Sequence, residues 1–146
     1  MDYPGDPMLE NVDDEYMVGD RMLVAPIFAG EAERNVVFPS GEWQDFWTGK
    51  TVTGRTQMVP VTARNIPVHI KAGSLMPWGE IGQHTQAPET RRIAVRIYGD
   101  GILGWSAPES VGGLQLRWDP ITLRGTVTHG SSVGRAFQVL DWRKIG

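Results

Sequence analysis

Short segments with the pattern of β-strands recur about every 8 to 12 residues along this chain, with turn residues between them. Eighteen glycines and ten prolines among 146 residues divide the chain into pieces of strand length. Residues 66–70 and 93–97 alternate between apolar and polar side chains, which is typical of half-buried antiparallel strands. The sequence therefore predicts an all-β fold of antiparallel β-sandwich type, with Greek-key connections, and argues against βαβ units.

The stretch Pro39–Gly49 holds two tryptophans and a phenylalanine between two turns. Trp43 and Trp47 lie four positions apart, so on a strand they share one face. Two indoles on one face form a large apolar surface that another layer must cover, because buried aromatic side chains dominate the energetics of cores. We therefore expect this face to be buried, with an exposed platform that stacks on sugar rings as the alternative.

The distribution of these segments predicts three parts. Residues 1–16 contain two prolines and an acidic cluster, and they are predicted to form a short connector. Residues 17–82 are predicted to form a first β-sandwich, and residues 83–146 a second, smaller β unit that follows a polar crossover. The core predicted for the first sandwich consists of Leu23, Val24, Trp43, Phe46, Trp47, Ile66, Val68 and Ile70.

Composition and charge exclude several classes of partner. The net charge is −3, and acidic and basic residues are mixed along the whole length, so no patch favours nucleic acid or an anionic membrane. No apolar run approaches the ~20 residues of a membrane span, and the first residues lack the features of a signal peptide. We expect a soluble protein with no nucleic-acid or membrane partner. The compartment stays open, with a preference for the cytoplasm.

Four ordered motifs in the first half of the chain resemble a known family. In order and spacing they are similar to the region just after the catalytic barrel in glycoside hydrolase family 31, which includes α-glucosidases and α-xylosidases. The resemblance covers about Tyr3 to Trp78. The motifs are Asp13–Gly19, Leu23–Ile27, Pro39–Gly49, and Ile66–Gly73 followed by Leu75-Met-Pro77.

The second half of the chain resembles the family less closely. Residues 93–98, the turn Gly99–Gly101 and residues 114–123 look like the start of the family's distal C-terminal sandwich. However, residues 105–109 replace the acidic, glycine-rich stretch usually found there. The resemblance therefore implies a shortened distal β-domain.

The resemblance also implies which chemistry lies outside this chain. The nucleophile and the acid/base of the family are aspartates on a (β/α)8 barrel, upstream of the matched region, and no residue here aligns with either. A chain of 146 residues is too short for such a barrel, which needs about 250. The resemblance implies a non-catalytic C-terminal region that packs on the barrel, stabilises it and is inactive alone. A free-standing carbohydrate-binding sandwich, with an oligosaccharide as partner, is the alternative.

Two patterns resemble functional motifs but have plainer explanations. The adjacent acids Asp13, Asp14 and Glu15 are more typical of a solvated connector than of the positioned carboxylate pair that glycoside hydrolysis needs. The stretch Gly99–Gly104 satisfies the pattern G-x-G-x-x-G, but Pro108 follows closely where the motif needs a helix. We therefore expect a hairpin turn there and no catalytic residue in this chain.

The three histidines, at positions 69, 84 and 129, have no cysteine near them and no spacing typical of a metal site. The sequence predicts no metal and no cofactor. His69 alternates away from the apolar face of its strand, so we expect it at the surface or in a contact with another domain. The residues predicted to dock against the barrel are Asp13, Asp14, Tyr16, His69 and Trp78.

Overall fold

The computed structural model describes residues 3, 5–62, 65–83, 91–107, 113–130 and 137–146. Among these residues the fold is all-β, as predicted, and no α-helix is present. No helix in the described part of the chain is long and apolar enough to cross a membrane. The chain divides into two compact units, residues 1–72 together with Gly146, and residues 73–145.

The described residues of the first unit form six strands in two antiparallel sheets. They are β1 (Tyr16–Val18), β2 (Met22–Val24), β3 (Glu33–Val37), β4 (Trp43–Asp45), β5 (Thr56–Pro60) and β6 (Val68–Lys71). One sheet has the order β1-β2-β6-β4, and the other pairs β3 with β5. Side chains from both sheets meet in one core, as in a β-sandwich. Its buried members are Leu23, Ala25, Val36, Phe38 and Trp43.

Six of the eight predicted core residues of this unit are buried, namely Leu23, Val24, Trp43, Phe46, Val68 and Ile70. Trp47 and Ile66 differ, because both are more than two-fifths exposed. Both residues are exposed because they lie beyond the ends of the paired strands. Strand β4 stops at Asp45 and β6 begins at Val68, so neither residue lies on the paired part of a strand. The predicted face shared by Trp43 and Trp47 does not form.

His69 also differs from its prediction as a surface residue, because it is 2% exposed. It lies on β6, which is an inner strand with β2 on one side and β4 on the other. Both faces of β6 are covered: Val68 and Ile70 are buried on one, and His69 packs edge-on against Phe38 on the other, with ring centroids 4.7 Å apart. Alternation marks the two faces of a strand but does not tell whether the second face is exposed.

In the second unit, the residues that the structure describes form two three-stranded sheets. The strands are β7 (Ser74–Gly79), β8 (Arg92–Tyr98), β9 (Leu103–Ser106), β10 (Gln115–Asp119), β11 (Arg124–Thr128) and β12 (Gln138–Lys144). The sheet orders are β12-β8-β7 and β11-β10-β9. All pairs are antiparallel except β12 with β8, which is parallel and irregular between Val139 and Asp141. The core between the sheets includes Leu75, Ile93, Val95, Ile97, Leu103, Leu116 and Trp118.

Two connections differ from the sequence-based interpretation. Strand β7 pairs along its whole length with β8, so residues 74–79 belong to the second unit and the boundary falls after Ala72. The turn at Gly99–Gly101 joins β8 to β9, which lie in different sheets, so it is not a hairpin. Strand β9 occupies Leu103–Ser106, where a nucleotide-binding motif would need a helix to begin.

Candidate functional site

The side chain of Asp45 organises the turn that follows β4. Its Oδ1 atom accepts hydrogen bonds from the backbone N–H of Trp47 at 3.1 Å, the backbone N–H of Thr48 at 2.7 Å and the Thr48 hydroxyl at 2.7 Å. The turn closes at Gly49, whose φ of 75° lies in the left-handed region that favours glycine. An Asp followed by Thr three positions later is a sequence signal for such a turn. The sequence interpretation did not use it.

This turn presents the indole of Trp47 at the surface in a fixed orientation. The indole N–H donates a hydrogen bond of 2.9 Å to the carbonyl oxygen of Ile66, and the ring packs edge-on against Phe46 with centroids 4.9 Å apart. The side chain remains 45% exposed. Trp47 therefore has one edge bonded to the protein and much of its ring open to solvent.

A groove of about 300 Å³ lies beside Trp47, within the first unit. Hydroxyl and amide side chains form most of its polar lining, and Asp45 and Lys50 are its acidic and basic members. The volume is at the lower end of the range for small-ligand pockets. The lining residues are Asp45, Trp47, Thr48, Lys50, Thr51, Val52, Gln57, Val59, Pro60, Thr62, Asn65, Ile66, Pro67 and His69.

His69 contributes a buried polar group to the wall of this groove. Burial lowers the pKa of His69 to about 4, against the opposing field of Asp45, which is its cross-strand partner on β4. The imidazole is therefore neutral at pH 7. Its Nδ1 atom is buried and has no hydrogen-bond partner among the described residues. Such atoms are uncommon, because burying a polar group without a partner costs free energy.

The predicted docking acids lie beside a second polar cluster, which is centred on the buried Arg34. Its guanidinium contacts the Asp14 carboxylate at 2.7 Å, the Asp14 carbonyl oxygen at 2.8 Å and the Glu31 carboxylate at 3.2 Å. It also lies over the ring of Phe28, 5.0 Å from its centroid. Asp13 is exposed. The sequence interpretation missed Arg34, because its position on β3 gives no sign that a charged side chain is buried there.

Glu15 is the one acid of the connector cluster that is buried. Its Oε1 atom accepts a hydrogen bond from the backbone N–H of Val37 at 2.8 Å. Burial raises the pKa of Glu15 to about 7, and the neighbouring Asp14 adds to this effect. A raised carboxyl pKa is a feature of general acids. However, Glu15 does not line the groove, and its bond to β3 gives it a structural role.

The other predicted docking residues, Tyr16 and Trp78, are both about half exposed. Tyr16 begins β1, the outermost strand of its sheet. Trp78 lies in the second unit, where the Arg96 guanidinium stacks over its ring at 4.8 Å from the centroid. The described residues contain no group of three or more His, Cys, Asp or Glu side chains that could hold a metal ion. The structure thus presents a groove and exposed aromatic residues.

Comparison with known proteins gives a consistent family for the first unit. Residues 1–76 match the family model described as the glycosyl hydrolase family 31 C-terminal domain. Alpha-glucosidase 2 from Bacillus thermoamyloliquefaciens is 35% identical over 99 residues, which is 66% of this chain and 12% of that protein. The alpha-xylosidase from Saccharolobus solfataricus is 36% identical over 80 residues, which is 53% of this chain and 11% of that protein.

Solved structures extend the likeness in fold. The family 31 alpha-xylosidase from Xanthomonas citri matches 99% of this chain and 18% of its own, with a TM-score of 0.78 and 23% identity. The cycloalternan-forming enzyme from Listeria monocytogenes matches 81% of this chain and 12% of its own, with a TM-score of 0.66 and 29% identity. The chain thus spans less than a fifth of the length of each of these proteins.

Proposed function

Because this chain belongs to glycoside hydrolase family 31, to its C-terminal region, we propose that it packs on the catalytic barrel of an α-glycosidase and stabilises it without taking part in catalysis. The full enzyme would hydrolyse α-glucosidic or α-xylosidic bonds, as the names of the relatives suggest. The compartment remains open, with the cytoplasm as our preference.

The edge strand β1 is the observation that carries the docking role. Among the described residues it pairs with β2 alone, so within that part of the chain one edge of its backbone has no strand neighbour in the sheet. Tyr16 and Val18 are 50% and 53% exposed on this strand, while Met17 packs on the core. Natural proteins usually cover or charge such edges, because exposed apolar edges promote aggregation. A partner that covers β1 would prevent such aggregation. Because the chain belongs to family 31, we propose that this partner is the catalytic barrel.

Docking at β1 is tested by co-purification. The chain is co-expressed with a tagged family 31 barrel encoded in the same genome, and the amount of chain retained with the barrel is measured. We expect stoichiometric retention for the natural chain and loss for Tyr16→Asp combined with Val18→Asp. The variant Met58→Asp is the matched control, because Met58 is also half exposed but lies on β5. Equal retention of all three proteins would contradict docking at β1.

A second candidate function is a carbohydrate-binding module, which one specific observation favours. Trp47 is half exposed and held in a fixed orientation, whereas the core interpretation required it to be buried. Exposed, rigid indoles provide apolar contact area together with a polar edge. Oligosaccharide binding by the isolated chain would support this function, and a docking domain does not need it.

A further inference from the structure

We propose that the groove beside Trp47 is a binding site for a short neutral oligosaccharide, with the indole as its stacking surface and Gln57, Thr62 and Asn65 as its hydrogen-bonding groups. This inference gives the second candidate function a location and a ligand class, and it does not depend on docking at β1. Three features support this site: the fixed indole, the neutral polar lining and the buried His69 in the wall.

The indole of Trp47 is fixed before any ligand binds, which lowers the free-energy cost of binding. Ordering side chains at an interface costs free energy, so a group that is already fixed before binding loses less. Trp47 is fixed at its indole N–H by the carbonyl of Ile66, at its backbone N–H by Asp45 and at its ring by Phe46. Its open surface is therefore available in one orientation. The backbone N–H and the hydroxyl of Thr48 both donate hydrogen bonds to the same carboxylate.

The side chains that line the groove favour a neutral, hydroxyl-rich ligand. The lining combines one indole and several aliphatic side chains with the hydroxyls of three threonines and the amides of Gln57 and Asn65. Amides and hydroxyls both donate and accept hydrogen bonds, so they suit a ligand that is rich in hydroxyl groups. A phosphate or carboxylate ligand would favour a cluster of arginines or lysines, but Lys50 and Asp45 are opposite charges. A pyranose matches this lining, because it has apolar C–H faces and a rim of hydroxyls.

His69 forms part of the wall of the groove. The side chain is 2% exposed, and its Nδ1 atom lacks a partner among the residues that the structure describes. Buried polar atoms of this kind are commonly satisfied by an ordered water or a ligand. Because Nδ1 has almost no exposed surface, a water held beneath a hydroxyl-rich ligand would supply the missing partner. An apolar ligand would leave the amides of the lining unpaired.

The test is a titration of the 146-residue chain with maltotetraose, isomaltotriose and xylotriose, followed by tryptophan fluorescence and by saturation-transfer NMR. We expect saturable binding of at least one of these sugars at millimolar concentrations. Trp47→Ala should weaken it about tenfold or more, and Gln57→Leu several-fold. Trp78→Ala is the matched control, because Trp78 is 46% exposed against 45% for Trp47, and it should bind as the natural chain does.

Each outcome decides the proposal. No saturable binding by the natural chain would overturn it, and so would equal losses in the Trp47 and Trp78 variants. If Trp47→Ala does not fold, Trp47→Phe and Gln57→Leu take its place, and unchanged affinity in both would also overturn it. Co-purification with the barrel is measured in parallel. The groove variants should leave it unchanged, so failure of the sugar site and failure of docking at β1 are distinguishable.

Discussion

Trp142 on β12 lies so close to Gly125 on β11 that a Cβ atom at position 125 would overlap the indole ring. The same indole stacks on Trp118, with ring centroids 5.9 Å apart and an interplanar angle of 23°. Trp118 and Gly125 are themselves cross-strand partners on β10 and β11. The glycine therefore provides the space in which a tryptophan of the opposing sheet covers both strands.

Gly125→Ala should destabilise the second unit by about 1 to 3 kcal/mol, because the added methyl must displace an aromatic ring in a packed layer. Urea unfolding followed by tryptophan fluorescence measures this loss. Gly104→Ala is the control, since a Cβ atom there would meet nothing closer than 3.9 Å. Gly104→Ala should change stability by less than about 1 kcal/mol. Equal losses in the two variants would show that Trp142 does not depend on the glycine.

The two tryptophans of the Pro39–Gly49 stretch should behave differently. Trp43 is 1% exposed and donates its indole N–H to the carbonyl of Pro39 at 2.9 Å, so Trp43→Ala should cost about 3 to 5 kcal/mol. Trp47→Ala removes a half-exposed ring and one hydrogen bond, and it should cost about 1 to 2 kcal/mol. Thermal melts of both variants measure the difference. Similar melting points would mean that Trp47 is buried in solution.

Asp45→Ala should destabilise the first unit by about 1 to 2 kcal/mol, because one carboxylate oxygen holds both backbone N–H groups of the following turn. Asp45→Asn retains an acceptor oxygen at the same place, and it should recover most of this stability. Urea unfolding of the two variants tests the point. Equal losses of stability in the two variants would show that the charge of Asp45 is responsible. No loss in either variant would contradict a stabilising role for the hydrogen bonds of Asp45.

Two buried groups should give the stability of the first unit opposite dependences on pH. The folded-state pKa of Glu15, about 7, lies above its unfolded value near 4.5. Its contribution to stability is therefore present below about pH 4.5 and is lost as pH rises through 7. Glu15→Gln should remove this loss, so the melting point of the variant relative to the natural chain should rise from pH 5 to pH 8.

His69 should give the stability of the first unit the opposite dependence on pH. The folded-state pKa of His69, about 4, lies below its unfolded value near 6.5. Its contribution is present above about pH 6.5 and is lost as pH falls toward 4. Melting points from pH 4 to pH 8 for the natural chain and Glu15→Gln separate the two effects, since the variant should show only the loss on the acid side. A constant difference across this range would contradict the raised pKa of Glu15.

Much of the fold was predictable, because alternation and turn residues are local signals. The all-β class followed from them, and so did the positions of strands such as β8 and β10. The family was identified from motifs in the first half of the chain, and the match over residues 1–76 confirms it. The parallel pairing of β12 with β8 was not predictable, since pairing between strands distant in sequence leaves no local pattern.

The candidate site was less predictable, because it depends on where strands end and on what covers each face. Trp47 was expected in the core since it lies four residues after Trp43, but β4 ends between them. His69 was expected outside since its neighbours Val68 and Ile70 are apolar, but the inner strand β6 is buried on both faces. Both misassignments lie at the groove, where the arrangement is set by tertiary contacts.

The central claim is that this chain stabilises a family 31 barrel without contributing catalytic groups. The most direct measurement is the melting point and the aryl α-glucosidase and α-xylosidase activity of the barrel encoded in the same genome, alone and with this chain added. The account predicts a higher melting point with the chain present, greater soluble activity, and no hydrolysis by the chain alone. An unchanged melting point, hydrolysis by the chain alone, or a genome that encodes no such barrel would contradict it.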